Sequence, residues 1–485
     1  MKSSFNVSQR FWKLIKFPQE SKEKFKTFLR KFQFRSDLYL VGGCIRDVLL
    51  NREFLDVDLT AGEDVDRLCS YLGCFLGFTV VVLSSEFGTY RLAKGKNNID
   101  FTLLRGETIE EDLGERDFTI NALALRAKDL FKEDTVIIDP YGGLRDLSEG
   151  IIRAIRERNL VEDPLRILRG YRFFALGFGK LDELTRRYFK RHASLVYLCA
   201  KERIYQELLY VLSSKRAYES FVLMDEDGVL REIIPWIKDC EGVEQPSFHH
   251  LDVKEHLFEA LNWAEKLLNK EVALLKKADF LNEERFKDED FRVKVKLAAF
   301  FHDIGKAYTF EIRDRITFYG HEKVSVDVFN RFAEEYRFKT SLKEGIANLI
   351  RNHMRPFQLL NEKEKGRLTL RAKRNLIRDV DDLEGLFLVC MADSLASQGE
   401  DKEPDYEERL IEFFREIFEV KRQLENQTKV KRVITGHDLI ALGLKPGPIF
   451  KEILQEIEIL VLEGRIKSRE QAIDFVKKKY LILNL

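Results

Sequence analysis

The run Gly42-Gly43-Cys44-Ile45-Arg46-Asp47, followed by Asp56-Val57-Asp58, sets a phosphate-binding turn ahead of two carboxylates. Adjacent glycines carry no side chain, so backbone N–H groups there can approach a triphosphate closely. Asp56 and Asp58 flank one residue, and alternate side chains on a strand share a face. Two hard oxygen ligands on one face suit Mg²⁺ bound to nucleotide phosphates. Two-metal phosphoryl transfer calls for a third carboxylate from a neighbouring strand. Asp100, in Asn98-Ile99-Asp100-Phe101-Thr102, is the candidate. The set points to nucleotidyl transfer, with two ions bridging the α-phosphate, an attacking 3′-hydroxyl and the departing pyrophosphate. Arg46 is placed to hold the triphosphate.

The next run is Arg116-Asp117-Phe118-Thr119-Ile120-Asn121-Ala122. Arg116 can reach a nucleotide phosphate or sugar, Asp117 can cap a following helix, and Asn121 can hydrogen-bond a ribose hydroxyl. Asp139-Pro140-Tyr141-Gly142-Gly143 then reads as a structural turn. In Glu162-Asp163-Pro164-Leu165-Arg166, Pro164 fits a helix first turn and Asp163 its N-cap. Asp163, Arg166, Arg169 and Arg172 recur at helical spacing and form a slanted stripe on one side. A carboxylate beside a guanidinium offers an acceptor and a donor, which match the Watson–Crick edge of cytosine or adenine. The deeper arginines can pair with phosphates.

A second group lies in the other half of the chain. His256, then His302-Asp303 in Ala298-Ala299-Phe300-Phe301-His302-Asp303-Ile304-Gly305-Lys306, then His321, His353 and Asp393 form an ordered series. Burying adjacent His and Asp in an apolar helix needs compensation, which a divalent transition metal supplies. With a metal in place, water would attack a phosphoester, aided by Lys306 or a histidine.

The elements that position these residues follow from periodicity. Residues 37–140 read as α/β, with strands expected at Leu38–Val41, Val57–Leu59, Thr79–Leu83, Thr89–Leu92, Ile99–Leu104 and Val136–Ile138. Helical patterns fall at Ile45–Leu50 and Val65–Gly73, and from about residue 145 the pattern is helical nearly to the end. Polar stretches at Lys238–Ser247 and Ser397–Asp405 mark boundaries. The expected layout is 1–145, an N-terminal helix and catalytic head; 146–237, a helical neck; 248–398, a metal-binding body; and 406–485, a helical tail.

The chain has 485 residues, 45% hydrophobic and 34% charged, with zero formal net charge. That bulk supports several well-cored domains, and any nucleic-acid partner must be met by a local basic face. Arg186–Arg191, Lys365–Arg378 and Lys429–Arg432 offer such phosphate contacts. The six cysteines contain no CxxC pair, which argues against a zinc ribbon or a disulfide framework. Met1 to Phe34 lacks the apolar run and cleavage site of a signal peptide, and no stretch of eighteen apolar residues occurs. A cytoplasmic protein without a membrane span is expected.

The order GGxxRD, DxD, RDFTINA, DPYGG, EDPLRILR and Glu202-Arg203-Ile204-x-x-Glu207-Leu208 resembles the class II tRNA nucleotidyltransferases and bacterial poly(A) polymerases over about residues 37–210. The resemblance implies an α+β fold: a polymerase-β-like head with a small mixed sheet, followed by an all-α neck, body and tail. It implies Mg²⁺ on Asp56 and Asp58, triphosphate near Gly42, Gly43 and Arg46, and nucleotide contacts at Arg116, Arg169 and Arg172. Base selection falls to Asp163 and Arg166, because this family chooses CTP or ATP with protein rather than with a template. The implied partner is tRNA, gripped at its acceptor and TΨC arms. The series H…HD…H…H…D resembles the HD superfamily of metal-dependent phosphohydrolases, whose substrates here would be a 2′,3′-cyclic phosphate on RNA ends or a nucleotide. The segment GHDLIALGLKPGPIFKEIL resembles the C-terminal motif of nucleotidyltransferases that carry an HD domain; it can approach an RNA backbone or serve as a helix connector.

One departure separates subtypes. Full CCA-adding members carry a flexible loop, typically with an RRP-like segment, between the third-carboxylate strand and RDFTINA. Here that interval, Leu103–Leu113, is short and lacks such a segment. The expectation is CC addition from CTP, with a separate enzyme adding the final A. Full CCA addition with CTP and ATP is the alternative. An A-adding enzyme or poly(A) polymerase, or an HD phosphohydrolase with a nucleotide-sensing head, fits the sequence less well. An alarmone synthetase-hydrolase would have the two modules in the reverse order.

Overall fold

The computed structural model describes residues 7–31, 37–84, 88–132, 135–312, 314–429, 433–462 and 465–481. The chain separates into two compact units, Met1–Pro235 and Trp236–Leu485. No helix among the described residues is long and apolar enough to cross a membrane.

The first unit is built on a six-stranded mixed sheet with strand order β3-β4-β5-β2-β1-β6. The strands are β1 Leu38–Val41, β2 Asp56–Ala61, β3 Thr79–Ser84, β4 Thr89–Lys94, β5 Asn97–Leu103 and β6 Ala124–Arg126. β2 and β5 pair in parallel, in a register that sets Asp58 opposite Asp100; the other pairings are antiparallel. Period-2 alternation gives β2 two characters. Val57 and Leu59 are fully buried in a core with Leu40, Ile45, Val48 and Phe101, while Asp56 is exposed and Asp58 half-buried. Two helices, Val7–Leu14 and Gln19–Lys31, contribute Phe11, Phe25 and Phe28 to that same core.

The expected strand at Val136–Ile138 does not form. Ile138 makes a single bridge to Ala124, and Val136 is 70% exposed. The sheet edge is instead the short β6, whose Ala124 and Leu125 are buried. The run Val136–Ile138 has β-branched residues but meets β6 at Ile138 alone, short of a ladder, and pairing decides strands more than propensity does.

After the sheet the first unit is mainly helical. The helix Leu165–Ala175 buries Leu165, Ile167, Leu168 and Tyr171, and packs against Lys201–Ser213 and Ala217–Glu226.

Among its described residues the second unit is almost wholly helical apart from one short hairpin, Glu311–Ile312 with Ile316–Thr317. Its centre joins the helices Val253–Leu268, Glu289–Phe301, Thr340–Asn352 and Leu383–Ala396. Leu383–Ala396 is buried nearly throughout, as expected of a helix that is apolar on all faces. Toward the C-terminus, Leu439, Ile453, Ile457 and Ile466 form a separate small core. Thr435 and Asp438 close a capping box on the helix Gly436–Ala441.

Candidate active site

The first unit carries a cleft of about 1110 Å³ lined by Gly42, Gly43, Arg46, Asp56, Asp58, Asp100, Arg116, Asn121, Asp163, Arg166, Arg169 and Arg172. Every nucleotidyl-transfer residue singled out from the sequence reaches this one cavity. β1 ends at Val41, opposite Asp58, and the chain then turns through Gly42 at φ +70°. A side chain at Gly42 would be strained there, and its Cβ would crowd Arg116 Nη1 at 3.0 Å and Asp58 Oδ2 at 3.3 Å. The turn therefore stays bare beside the carboxylates, and Gly43 opens the helix Gly43–Leu49.

The acidic floor combines Asp56, Asp58 and Asp100. Asn98 Nδ2 donates to Asp56 Oδ1 at 2.8 Å. Arg91, Asp100's partner across β4 and β5, grips it in a two-pronged pair, Nε–Oδ1 2.8 Å and Nη2–Oδ2 2.7 Å. Burial, reinforced by the neighbouring Asp100 and Asp56, pushes the Asp58 carboxyl up to about 6, although Arg116 opposes the shift. Carboxylates that resist ionising together are relieved by a divalent cation, so Asp56 and Asp58 fit a hard divalent metal.

The cationic wall is held by contacts the sequence did not reveal. Arg46 packs over the Phe178 ring, 4.2 Å from its centroid, and pairs with Asp47 through Nε at 3.0 Å. Its Nη1 donates to Asn121 Oδ1 at 2.7 Å, Asn121 Nδ2 donates to Asp117 Oδ1 at 2.9 Å, and Arg169 Nε donates to Asp117 Oδ2 at 2.8 Å. Burial alone would raise the Asp117 carboxyl, but Arg169, Asn121 and the Phe118 N–H hold it well below the usual range. Asp117 thus locks the arginine stripe to the sheet. It does not cap a helix, because its oxygens are taken by these charged and amide donors. Arg116 is steadied by Asp112 at 3.1 Å and Arg172 by Glu207 at 3.0 Å.

Asp163 also differs from its expected role. Its side chain makes no cap on Leu165–Ala175; it accepts from Arg203 Nη2 at 3.0 Å. A guanidinium within reach outcompetes neutral N–H donors for a carboxylate. Of the positioning residues, Arg91, Asp112 and Phe178 carry no individual sequence signal, while Asp117 stands in the RDFTINA run. Glu207, inside the ERIxxEL run, had the best chance of being found.

The basic stretches are largely neutralised within the chain. Arg186 pairs with Asp227 and Glu226, Arg191 with Glu157, Lys373 with Glu416 and Arg374 with Glu458. Lys429–Arg432 lies outside the residues whose side chains are described.

The second unit gathers His256, His302, Asp303, His321, His353 and Asp393, all buried. His256 and Asp393 project from the helices Val253–Leu268 and Leu383–Ala396. His302 and Asp303 follow Glu289–Phe301, His321 opens His321–Glu335, and His353 joins Thr340–Asn352 to Met354–Glu364. Gly305 makes the close approach possible, since a Cβ there would lie 2.3 Å from the His321 carbonyl oxygen. Burial works against the charged form of His302, yet Asp303 and Asp393 beside it push it up to about 10. A proton is thus drawn to a place where a cation fits. Asp303 Oδ1 receives no hydrogen bond, and the imidazole and carboxylate donors lie within 4.8 Å of one another inside each potential ligand group. This donor set suits a divalent transition metal. A cavity of about 560 Å³ opens onto Asp303, His321 and Asp393, with His249, Lys306, Arg315, Phe318, Phe357 and Tyr406 in its walls.

Comparison with known proteins agrees with both halves. The Poly A polymerase head domain matches residues 38–153, the HD domain 253–397, and tRNA nucleotidyltransferase domain 2 389–476. A CC-adding tRNA nucleotidyltransferase of Thermus thermophilus is 30% identical over 460 residues, covering 92% of this chain and 94% of that protein. An A-adding tRNA nucleotidyltransferase of Deinococcus radiodurans is 29% identical over 450 residues, covering 90% of this chain and 94% of that protein. A solved Thermotoga maritima CCA-adding enzyme, complexed with tRNA, superposes with a TM-score of 0.63 at 25% identity, covering 97% of each chain. With Asp56, Asp58 and Asp100 inside the matching head domain and the histidine–aspartate cluster inside the matching HD domain, this chain belongs to the CCA-adding family of tRNA nucleotidyltransferases.

Proposed function

We propose that the chain adds two cytidines to the 3′ end of tRNA, taking them from CTP. The observation that carries this reading is the interval between β5 and Arg116. It is a compact structure rather than a loop. Thr108 caps the helix Ile109–Gly114 by accepting from Glu111 N, Glu107 N donates to Glu111 Oε2 at 2.7 Å, and Arg105 N donates to Asp112 Oδ1 at 3.1 Å. The other oxygen of Asp112 holds Arg116. A segment tied at both ends leaves nothing to reshape the base pocket for ATP after two cytidines. Relatives of about 30% identity carry both CC-adding and A-adding names, so overall similarity does not choose between them. Full CCA addition is the competing reading, and under the CC reading a separate enzyme completes the final adenosine.

In the proposed reaction the 3′-hydroxyl oxygen bonds to the α-phosphorus, the bond to pyrophosphate breaks, and the hydroxyl proton passes to solvent water. Asp56 and Asp58 would hold Mg²⁺ beside Asp100, and the ion would supply Lewis acidity at the α-phosphate. Arg46 and Arg116 orient the triphosphate over Gly42 and Gly43, with Arg169 and Arg172 deeper in the cleft. Asn121, bound to Arg46, stands where a ribose hydroxyl would lie. Asp163 accepts the cytosine amino group and Arg166 donates to the ring nitrogen and carbonyl. The proposed layout is a head at 1–145, neck at 146–237, body at 248–398 and tail at 406–485, working in the cytoplasm, with neck and tail contacting the acceptor and TΨC arms.

The buried cluster favours a second reading alongside the first. The HD site hydrolyses a phosphoester: water oxygen bonds to phosphorus, the ester bond breaks, and the departing alkoxide takes a proton. Lys306, 2.6 Å from Asp303 Oδ2, stands at the cavity floor to meet the phosphate. A nucleotide or a 2′,3′-cyclic phosphate fits the aromatic and basic walls.

Primer extension tests the main reading. A tRNA transcript ending at the discriminator base is incubated with Mg²⁺ and CTP, with or without ATP. Growth by two nucleotides in both mixtures is expected; a third nucleotide added only with ATP makes the chain a full CCA enzyme.

A further inference from the structure

The open face of the first unit's sheet continues beyond the residues that meet the nucleotide. Five strands set one residue each in a row: Val41 on β1 pairs with Asp58 on β2, Asp58 with Asp100 on β5, Asp100 with Arg91 on β4, and Arg91 with Val81 on the edge strand β3. Paired residues point to one face. The other face is filled, with Val57, Leu59, Leu92, Ile99 and Phe101 in the core and Val80 close against Gly73 of the helix Val65–Leu76. On the row's own face the β1 end is covered, since Val41 packs with Ile109 and Leu113. The β3 end is open: Val81 is 41% exposed and the Arg91 side chain 40%.

The direction of attack decides what lies over that open end. In-line displacement sets the attacking and leaving oxygens on opposite sides of the α-phosphorus. Gly42, Gly43 and Arg46 follow β1, to one side of Asp58, and β5, β4 and β3 lie to the other. With the triphosphate over Gly42, Gly43 and Arg46, the RNA 3′-hydroxyl arrives from the side of β5 and β4. Arg91 stands one strand beyond Asp100, a step of about 4.8 Å. One ribose separates a 3′-hydroxyl from the phosphodiester on its 5′ side, so a hydroxyl at Asp100 brings that phosphodiester to Arg91.

The partner of Arg91 also sets it apart. Arg116 is held by Asp112 and Arg172 by Glu207, carboxylates outside the acidic floor. Arg91 is held by Asp100 itself, through both oxygens at 2.8 and 2.7 Å. An arriving hydroxyl donates to Asp100 and takes up an oxygen that Arg91 occupies in its absence. The guanidinium then needs another anion, and a phosphodiester offers two oxygens to the same fork of donors.

We propose that Arg91 receives the last phosphodiester of the RNA, exchanging Asp100 for it as the 3′-hydroxyl docks, and that the face from Arg91 to Val81 seats the RNA's terminal nucleotide. The proposal rests on reading the cleft as the site of nucleotidyl transfer to an RNA 3′ end, and not on how many cytidines are added.

The test pairs a change in the protein with a change in the RNA. A minihelix of acceptor and TΨC arms, ending at the discriminator base, is made with its last phosphodiester either intact or replaced by a neutral methylphosphonate. Its dissociation constant from the full chain is measured by fluorescence anisotropy with Mg²⁺ and without CTP. The neutral linkage should weaken wild-type binding by roughly tenfold, as loss of one charged hydrogen-bonded contact implies. Arg91→Gln should bind the intact RNA as weakly as wild type binds the neutral one, and the neutral linkage should cost it nothing further. Arg91→Lys should recover part of the affinity, because the charge remains. No penalty in the wild type overturns the proposal and needs no variant; an equal penalty in wild type and Arg91→Gln overturns it too, since Arg91 would then act on Asp100 alone. Extension of the intact minihelix with CTP keeps the two ideas apart. Binding that follows the expected pattern without extension retires the nucleotidyl-transfer reading and leaves the contact, whereas extension without the pattern retires the contact alone.

Discussion

The cleft of the first unit and the cluster of the second both gather carboxylates for cations, yet they manage charge in opposite ways. In the cleft the charges are many, half-buried and mutually paired: Arg91 with Asp100, Arg116 with Asp112, Arg169 with Asp117, Arg172 with Glu207. Such pairs can exchange partners when a triphosphate arrives, because solvent and ligand compete for each guanidinium. In the cluster the side chains are buried and the acceptors face one another. That arrangement has little to exchange and calls for a cation as part of the folded structure. An open, rechargeable wall suits successive nucleotides; a closed floor suits a resident metal.

The contrast can be broken at four points. Asp58→Asn should lower nucleotide addition by roughly 10³-fold, on the scale of losing a principal charge-stabilising group. Asp303→Asn should leave addition nearly unchanged. Single-turnover extension of a tRNA transcript measures both, and a large loss from Asp303→Asn would mean the two regions do not work independently.

Metal removal should act on stability in the second unit. Chelation should lower the melting transition of that unit by an amount equivalent to about 2.7 kcal/mol if metal is present at a hundred times its dissociation constant. Calorimetry of wild type and Asp303→Asn, each with and without chelator, reads the difference, and only the wild type should respond.

Base selection should respond more weakly. Arg166→Ala removes a donor to the base edge, and its preference for CTP over ATP should fall by about 1–3 kcal/mol, judged from kcat/KM for each nucleotide. An unchanged preference would move base reading away from the stripe.

The smallest effect concerns a buried charge outside the cluster. Burial pushes the Lys296 ammonium down to about 8, against the pull of Glu265 at 2.7 Å. Between that value and the ordinary 10.5 the unfolded chain binds more protons than the folded one, so stability rises as pH climbs through this window. The gain is about 1 kcal/mol between pH 8 and 9, and Lys296→Met should abolish it in denaturant titrations across that range.

The strands that carry the carboxylates were legible because alternation and β-branched residues mark them locally. Leu38–Val41 begins and ends where expected, and Asp100 stands on β5 in register with Asp58. Val136–Ile138 had the same local marks and no ladder, while Ala124–Arg126 had weaker marks and a partner in β1. For Asp163 and Asp117, capping was the sensible local expectation. Both were instead taken by arginines, Arg203 for Asp163 and Arg169 for Asp117.

By itself the sequence determined the ordered motifs, the alternation that sets Asp56 and Asp58 on one face, the slanted stripe from Asp163 to Arg172, and the histidine–aspartate series. These depend on short-range spacing, which backbone geometry converts directly into direction. Only the tertiary structure decided that Arg46 reaches Arg169 through Asn121 and Asp117, that the segment before Arg116 is tied shut, and that Asp303 turns one oxygen to each histidine pair. Those contacts join residues far apart in the chain, and their distances are fixed by which apolar faces pack together, information that spacing does not contain.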